Sequence, residues 1–359
     1  MREGVNWAFL MGRALEEGLA SFLYLHCKNL DLLDLMPEYA RELLSRIYSE
    51  TLLLNTHMLK AVRELDQPLR ERGISVIVFK GISLLGDVYQ DAGLRLMEDI
   101  DLIARPEHVR ELKRMLECNG FVPDKLYRNT YKRGIITLDI HTDFLSAHRI
   151  KNRRDAMNIK LRDVWERAHP FEEGLTHVLR LSMYDSIIAL SSHLLKHRFS
   201  RWLWFVDIRE SIEGSGSAFS WSEFVEYSRK VRAERIVLYA LLLSKHFLGM
   251  DIPAHVLSEL GKSRLSVVEK HILRLRLAHA QADSLVDLLW LYQIPGPGKK
   301  IRFILENAFP KKEVMNQIFP SSSGNCFTLL RRFADVVAFV LSDVFSAMKI
   351  TFKGGLPRL

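Results

Sequence analysis

Residues 74–103 read ISVIVFKGISLLGDVYQDAGLRLMEDIDLI, and this stretch decides the fold. The run from Ile74 to Phe79 is short, apolar and β-branched, and it is bounded by Gly73 and Gly81, which marks a buried strand. Gly81 lets the chain turn tightly and bring its backbone close to a ligand with no Cβ in the way. A short helical piece to about Tyr89 and a turn follow, and Ile100, Leu102 and Ile103 then mark a second strand. Asp99 and Asp101 stand two residues apart, so the strand period places both carboxylates on one face, roughly 6–7 Å apart.

Paired carboxylates are costly unless a cation sits between them. Mg²⁺ suits them as a hard ion that prefers oxygen and is shared with substrate phosphates, with Mn²⁺ as the alternative. Lys80 just after the first strand and Arg95 just before the pair supply phosphate contacts. The plainer reading makes Asp99 and Asp101 turn and cap residues flanking a strand.

The surrounding residues carry a resemblance. Lys80-Gly81, Arg95, Asp99-Ile100-Asp101-Leu102, Pro106 and Gly120-Phe121 follow the order seen in nucleotidyltransferases related to DNA polymerase β. More narrowly, the chain resembles the bacterial family of uncharacterised nucleotidyltransferases, over about residues 59–320. The superfamily's commoner Gly-Ser pair is Lys80-Gly81 here. The resemblance implies an α+β fold: a small mixed sheet flanked by helices, with a helical lead-in and a large all-helical C-terminal domain.

Residues 135–141, IITLDIH, alternate well enough for a third strand, with Thr137, Asp139 and His141 on one face. Asp139-Ile140-His141 is similar to the family's Asp-Leu-His, which implies that Asp139 is a third acid, ligating metal and taking a proton from an acceptor hydroxyl. The expected metal and catalytic set is therefore Asp99, Asp101 and Asp139. The expected nucleotide-binding set is Lys80, Gly81, Ser83, Arg95, His141 and Lys196.

Bulk properties frame this reading. The chain has 359 residues, 48% of them hydrophobic, enough for more than one substantial core. A formal net charge of +8 favours anionic partners without choosing among nucleotides, nucleic acid and membrane surfaces. Cys27, Cys118 and Cys326 have no metal-binding spacing and suit a reducing cytoplasm. Residues 7–11 are too short and too closely followed by charge for a signal peptide. No apolar run reaches the length of a membrane span; the nearest, residues 334–348, is cut by Asp335 and Asp343.

Three segments are expected: helices over 1–72, an α/β core over 73–178 and a helical domain over 179–359. In the first, Leu44, Ile47, Leu54, Met58, Val62 and Leu65 form one apolar stripe, Pro37 starts or separates a helix, and Pro68 with Gly73 closes the segment. The basic run from His148 to Arg162 reads as a solvated face, with a polyanion grip as the alternative. His193 and His197 lie four apart on a helix without a metalloprotease glutamate beside the first, so a zinc site is disfavoured. The segment 193–208, with Lys196, Arg198 and Arg201, resembles the family's His-x-x-Lys-His helix and its aromatic-rich Asp-Ile stretch; these cations either reach phosphates or form a basic helix face. A final amphipathic helix is expected over 327–348.

Together these features predict a Mg²⁺-dependent transfer of a nucleoside monophosphate from an NTP to an unidentified acceptor hydroxyl, with release of pyrophosphate. A nucleotide-binding regulator or scaffold that keeps the fold without the reaction is one alternative. An RNA-modifying enzyme is another, although no RNA-binding module is present.

Overall fold

A computed structural model of the chain describes residues 5–145, 151–278 and 283–309, with isolated positions at 314, 338, 342–344, 347–348 and 356–357. The lead-in comprises helices α1 (Trp7–Glu16), α2 (Ala20–Asn29) and α3 (Glu38–Glu71). Pro37 stands immediately before α3, where its fixed φ suits a helix start. Pro68 does not end the helix, which continues to Glu71 at the cost of one backbone hydrogen bond. The buried positions Leu44, Met58, Val62, Leu65 and Leu69 lie along one stripe of α3 and account for its tertiary anchoring.

Strand β1 (Val76–Phe79) is followed by the single-turn helix α4 (Gly81–Leu84) and by β2 (Ile100–Ala104). The helical piece expected as far as Tyr89 stops at Leu84, where Leu85 bridges to Tyr89. Helix α5 (Val109–Cys118) then leads to β3 (Val122–Pro123), β4 (Thr130–Arg133) and β5 (Ile136–His141). Helix α6 (Leu161–Arg167) precedes β6 (His169–Pro170) and β7 (Val178–Arg180). The seven strands form one mixed sheet in the order β3-β4-β5-β2-β1-β7-β6. All four residues of β1 and all five of β2 are buried, as a central strand covered on both faces requires.

Strands β6 and β7 fall where the sequence suggests a connector running into helix. Three residues are too few for period two to show, and β7 exists because Asp66 holds it. The Asp66 carboxylate accepts from the backbone N–H groups of Thr176, His177 and Val178, at 2.7–3.0 Å, and so sets the start of the strand that pairs with β1.

The remaining helices are α7 (Met183–Lys196), α8 (Trp202–Glu213), α9 (Trp221–Lys230), α10 (Glu234–Leu248), α11 (Ala254–Glu259), α12 (Val267–Leu277), α13 (Asp283–Asp287), α14 (Leu289–Gln293) and α15 (Pro297–Ala308). Nine consecutive residues of α10, Ile236–Ser244, are buried, so this helix is the axis around which the others pack. One apolar cluster runs from Met58 through the sheet to Phe303, while the tips of α1, α2 and α3 share a smaller one. The expected linker at 321–324 and the final helix over 327–348 lie outside the described residues, apart from isolated positions. Among the described residues, no helix is long and apolar enough to cross a membrane.

In the basic run, the described cations are mostly committed within the protein. Arg153 is buried with its guanidinium over the Trp290 ring, Arg154 pairs with Asp143 at 3.1 Å, and Arg162 pairs with Glu166 at 2.8 Å.

Candidate active site

Strand register assembles the site. Phe79 pairs with Asp101 across the antiparallel β1–β2 ladder, Asp101 with Asp139 across the parallel β2–β5 ladder, and Asp139 with Thr130 across β4–β5. Residues opposite each other on adjacent strands present their side chains to the same face. Asp101, Asp139 and His141, two residues beyond Asp139, therefore converge, each with a ligand atom within 4.8 Å of the others.

Asp101 is the centre of this group. Its Oδ1 accepts from Lys80 Nζ at 2.5 Å and lies 2.7 Å from Nε2 of His141. Burial alone would raise this carboxyl's pKa, but the Lys80 charge and the His141 hydrogen bond outweigh it and hold Asp101 well below the usual carboxylate range. The His141 ring sits edge-on to Phe79, with centroids 5.2 Å apart, which fixes its plane. Asp139 Oδ1 accepts a very short hydrogen bond from Thr130 Oγ1. Asp99 lies one residue ahead of β2 and shares the cavity without joining the ligand cluster. Burial and the charges of Asp101 and Asp139, opposed by Lys80, push its pKa up to about 7.

Lys80 reaches Asp101 from an unusual backbone. At φ 58° and ψ −134° it occupies a region that favours glycine, at a cost on the order of 1–3 kcal/mol. Such strain persists where the surroundings over-determine it, and here it turns the lysine from the end of β1 back across the sheet. Gly81 follows because nothing larger fits: a Cβ there would stand 2.5 Å from Arg95 Nη1 and 2.6 Å from Met97 Sδ.

These groups open into a cavity of about 610 Å³ lined by Lys80, Gly81, Arg95, Asp99, Asp101, Asp139 and His141 from the sheet side. Lys113, Arg128 and Thr130 form its rim beyond β5, and His193, Lys196, His197, Arg201 and Trp204 close it from α7 and α8.

Of the expected nucleotide contacts, Arg95 lines the cavity while engaged by other groups, and Ser83 lies outside it. Arg95 forms part of the cavity wall, but all three guanidinium nitrogens have partners: Nε and Nη2 meet Asp207, and Nη1 meets the Leu96 carbonyl. Ser83 lies beyond the cavity lining and donates to the Lys80 carbonyl at 2.8 Å, steadying the strained turn. Of the neighbouring cations, Arg198 turns away to Asp287 at 2.8 Å, while Arg201 reaches the cavity within 3.6 Å of Glu98.

Sequence reasoning missed three contributors. Thr130 carries no motif and is recruited by strand register alone. Asp207 lies in the aromatic-rich Asp-Ile stretch, yet nothing local pairs it with Arg95. Trp204 reads as core, although its ring meets the cavity beside the two α7 histidines.

The site thus sets an acid pair on adjacent strands beside a strained basic turn, on a mixed sheet backed by helices. A family model described as uncharacterised nucleotidyltransferase matches residues 3–249. The chain belongs to this family and is a nucleotidyltransferase. No curated protein and no solved structure matches it significantly.

Proposed function

We propose that this protein transfers a nucleoside monophosphate from an NTP to an acceptor hydroxyl with the help of a divalent cation, Mg²⁺ first and Mn²⁺ second. The observation that carries the reading is the pairing of Asp101 with Asp139 across β2–β5, next to Asp99 and Lys80 in one cavity. Asp101 and Asp139 offer the carboxylate oxygens that a hard divalent ion takes, while the His141 imidazole lies against Asp101.

Asp101 and Asp139 would hold the ion, with His141 as a third ligand or as a clamp on Asp101. When bound, it supplies neutralisation of charge on the phosphates as pyrophosphate departs. Lys80, already cationic and poised at Asp101, binds the triphosphate. Gly81 lets phosphate oxygens approach the backbone at the start of α4. Lys196 and Arg201 cover the opposite wall of the cavity. Asp139 accepts the proton of the acceptor hydroxyl, whose oxygen forms a bond to the α-phosphorus as the bond from that phosphorus to the pyrophosphate oxygen breaks. Thr130 holds Asp139 in place through this transfer. Arg95 acts as a positioning residue, filling the wall behind Gly81.

The test is pyrophosphate release by the full chain with each NTP and Mg²⁺, using a cell extract as the source of acceptor, followed by identification of the labelled product. The reading predicts release and labelling by the wild type and neither by Asp101→Asn. Metal-dependent NTP binding with no release in any extract would favour a regulatory protein instead.

A further inference from the structure

Three aromatic rings pack against one another in the cavity wall formed by α7 and α8. The His193 and His197 centroids are 4.4 Å apart with planes at 47°, His193 lies 4.6 Å from Trp204 at 81°, and His197 lies 5.0 Å from it at 52°, so the rings form an angled cluster and not one flat surface. All three residues line the cavity that holds Asp101 and Lys80. Their convergence is built into the helices. A spacing of four puts His193 and His197 on one face at the end of α7, and Trp204 sits in the first turn of α8, after a tight reversal in which Arg198 and Phe199 both take positive φ. The strained reversal brings the indole back over the imidazoles.

The surroundings decide what the rings can bind. Burial first, then the charges of Lys196, Lys80 and Arg153, depress the pKa of His197 to about 3; burial and Lys80 likewise hold His193 well below its usual value. Burial and the neighbouring cations thus disfavour the charged form of both imidazoles, which makes them weaker partners for phosphate than for an uncharged ring. A zinc ion is disfavoured by the same cations, and the His-x-x-x-H pair gains no third ligand: among the described residues, the sole candidate metal cluster is that of Asp101, Asp139 and His141. Neutral π-faces beside a phosphate-binding turn suit a flat heteroaromatic ring.

We propose that His193, His197 and Trp204 form the nucleobase platform of the donor NTP, with the base stacked on the Trp204 indole and flanked by the two imidazoles set at an angle to it. This rests on the nucleotidyl-transfer reading and adds to it the part of the substrate that the wall recognises. Lys80 and Lys196 then hold the phosphates while the rings hold the base, so affinity divides between two separable halves of the substrate.

The experiment measures equilibrium binding of ATP, GTP, CTP, UTP and tripolyphosphate, each with Mg²⁺, to the full-length wild type and to Trp204→Leu, Trp204→Phe and His197→Ala. Tripolyphosphate carries the charge without the base. The expected result is that Trp204→Leu and His197→Ala weaken ATP and GTP by about tenfold, the usual scale for losing one base-stacking partner. Tripolyphosphate binding stays unchanged, and Trp204→Phe remains within about threefold of wild type because the π-face is kept. If Trp204→Leu and His197→Ala retain wild-type ATP and GTP affinity, the platform is wrong while the transfer reading stands. If they weaken tripolyphosphate as much as ATP, the rings are structural and the platform again fails. A wild type that binds neither NTP nor tripolyphosphate overturns both readings.

Discussion

Arg95 and Asp207 lie 112 residues apart in sequence and meet through two hydrogen bonds, Nε to Oδ1 at 3.0 Å and Nη2 to Oδ2 at 2.7 Å. Both side chains are almost wholly buried, and the Tyr89 hydroxyl adds a third bond to the same carboxylate at 2.9 Å. The pair ties the loop ahead of β2 to α8, the helix that carries Trp204. Asn55 of α3 grips that loop from the other side, donating to the carbonyls of Ala92 and Arg95 at 2.6 and 2.7 Å. Helices that precede and follow the sheet in the chain, α3 and α8, thus converge on the wall behind the cavity.

Removing one partner of a buried ion pair strands the other's charge. Asp207→Leu and Arg95→Met should each destabilise the fold by about 3–5 kcal/mol, whereas the double variant with both substitutions should recover most of that loss. Chemical denaturation of the three variants measures it. Additive losses in the double variant would show that the two residues act independently.

Gly81→Ala tests the tightness of the turn after β1. The added Cβ meets Arg95 Nη1 and Met97 Sδ, and Arg95 is pinned by Asp207, so the neighbour cannot simply swing aside. A loss of about 1–3 kcal/mol is expected from overpacking. The thermal midpoint is the readout, and an unchanged midpoint would mean that the loop carrying Arg95 yields freely.

Asp139 and Thr130 should separate chemistry from binding. Asp139→Asn removes the proposed base and should lower kcat by about 10²–10⁴-fold, the range for general base catalysis. Thr130→Val leaves the carboxylate but frees it to rotate, with an expected loss of about tenfold in kcat that Thr130→Ser restores. Both variants should melt within a few degrees of wild type, since Asp139 and Thr130 are only partly buried. Steady-state kinetics with a found acceptor provides the measurement, and full activity in Asp139→Asn would remove it from the mechanism.

The buried histidines set an acid limit on stability. His197 titrates at about 3 in the folded chain against about 6.5 unfolded. Between those values the unfolded state binds the proton and the folded state does not, so unfolding is favoured as pH falls from about 6.5 toward 3. Above about 6.5 both forms are neutral and the contribution is flat. His197→Gln should flatten the decline of the thermal midpoint between pH 6.5 and 4.5 relative to wild type. Parallel curves for the two proteins would show that His197 is not held neutral.

Residues 74–103 contain enough information to specify a good deal of this protein. The β-branched run, the Lys-Gly turn and the Asp-x-Asp spacing report local geometry, and local geometry is what a strand's period of two transmits. Asp139 and His141 were legible in the same way, because alternation along one strand places them on one face. Tertiary structure alone decided the rest. Register between β2 and β5 chose Asp101, rather than Asp99, as the residue facing Asp139. Folding also joined Arg95 to Asp207, recruited Thr130 from β4, and packed Trp204 against His193 and His197. Each of these pairings joins residues that no short-range pattern relates, and the free energy that fixes them comes from burying charge and apolar surface between elements distant in the chain.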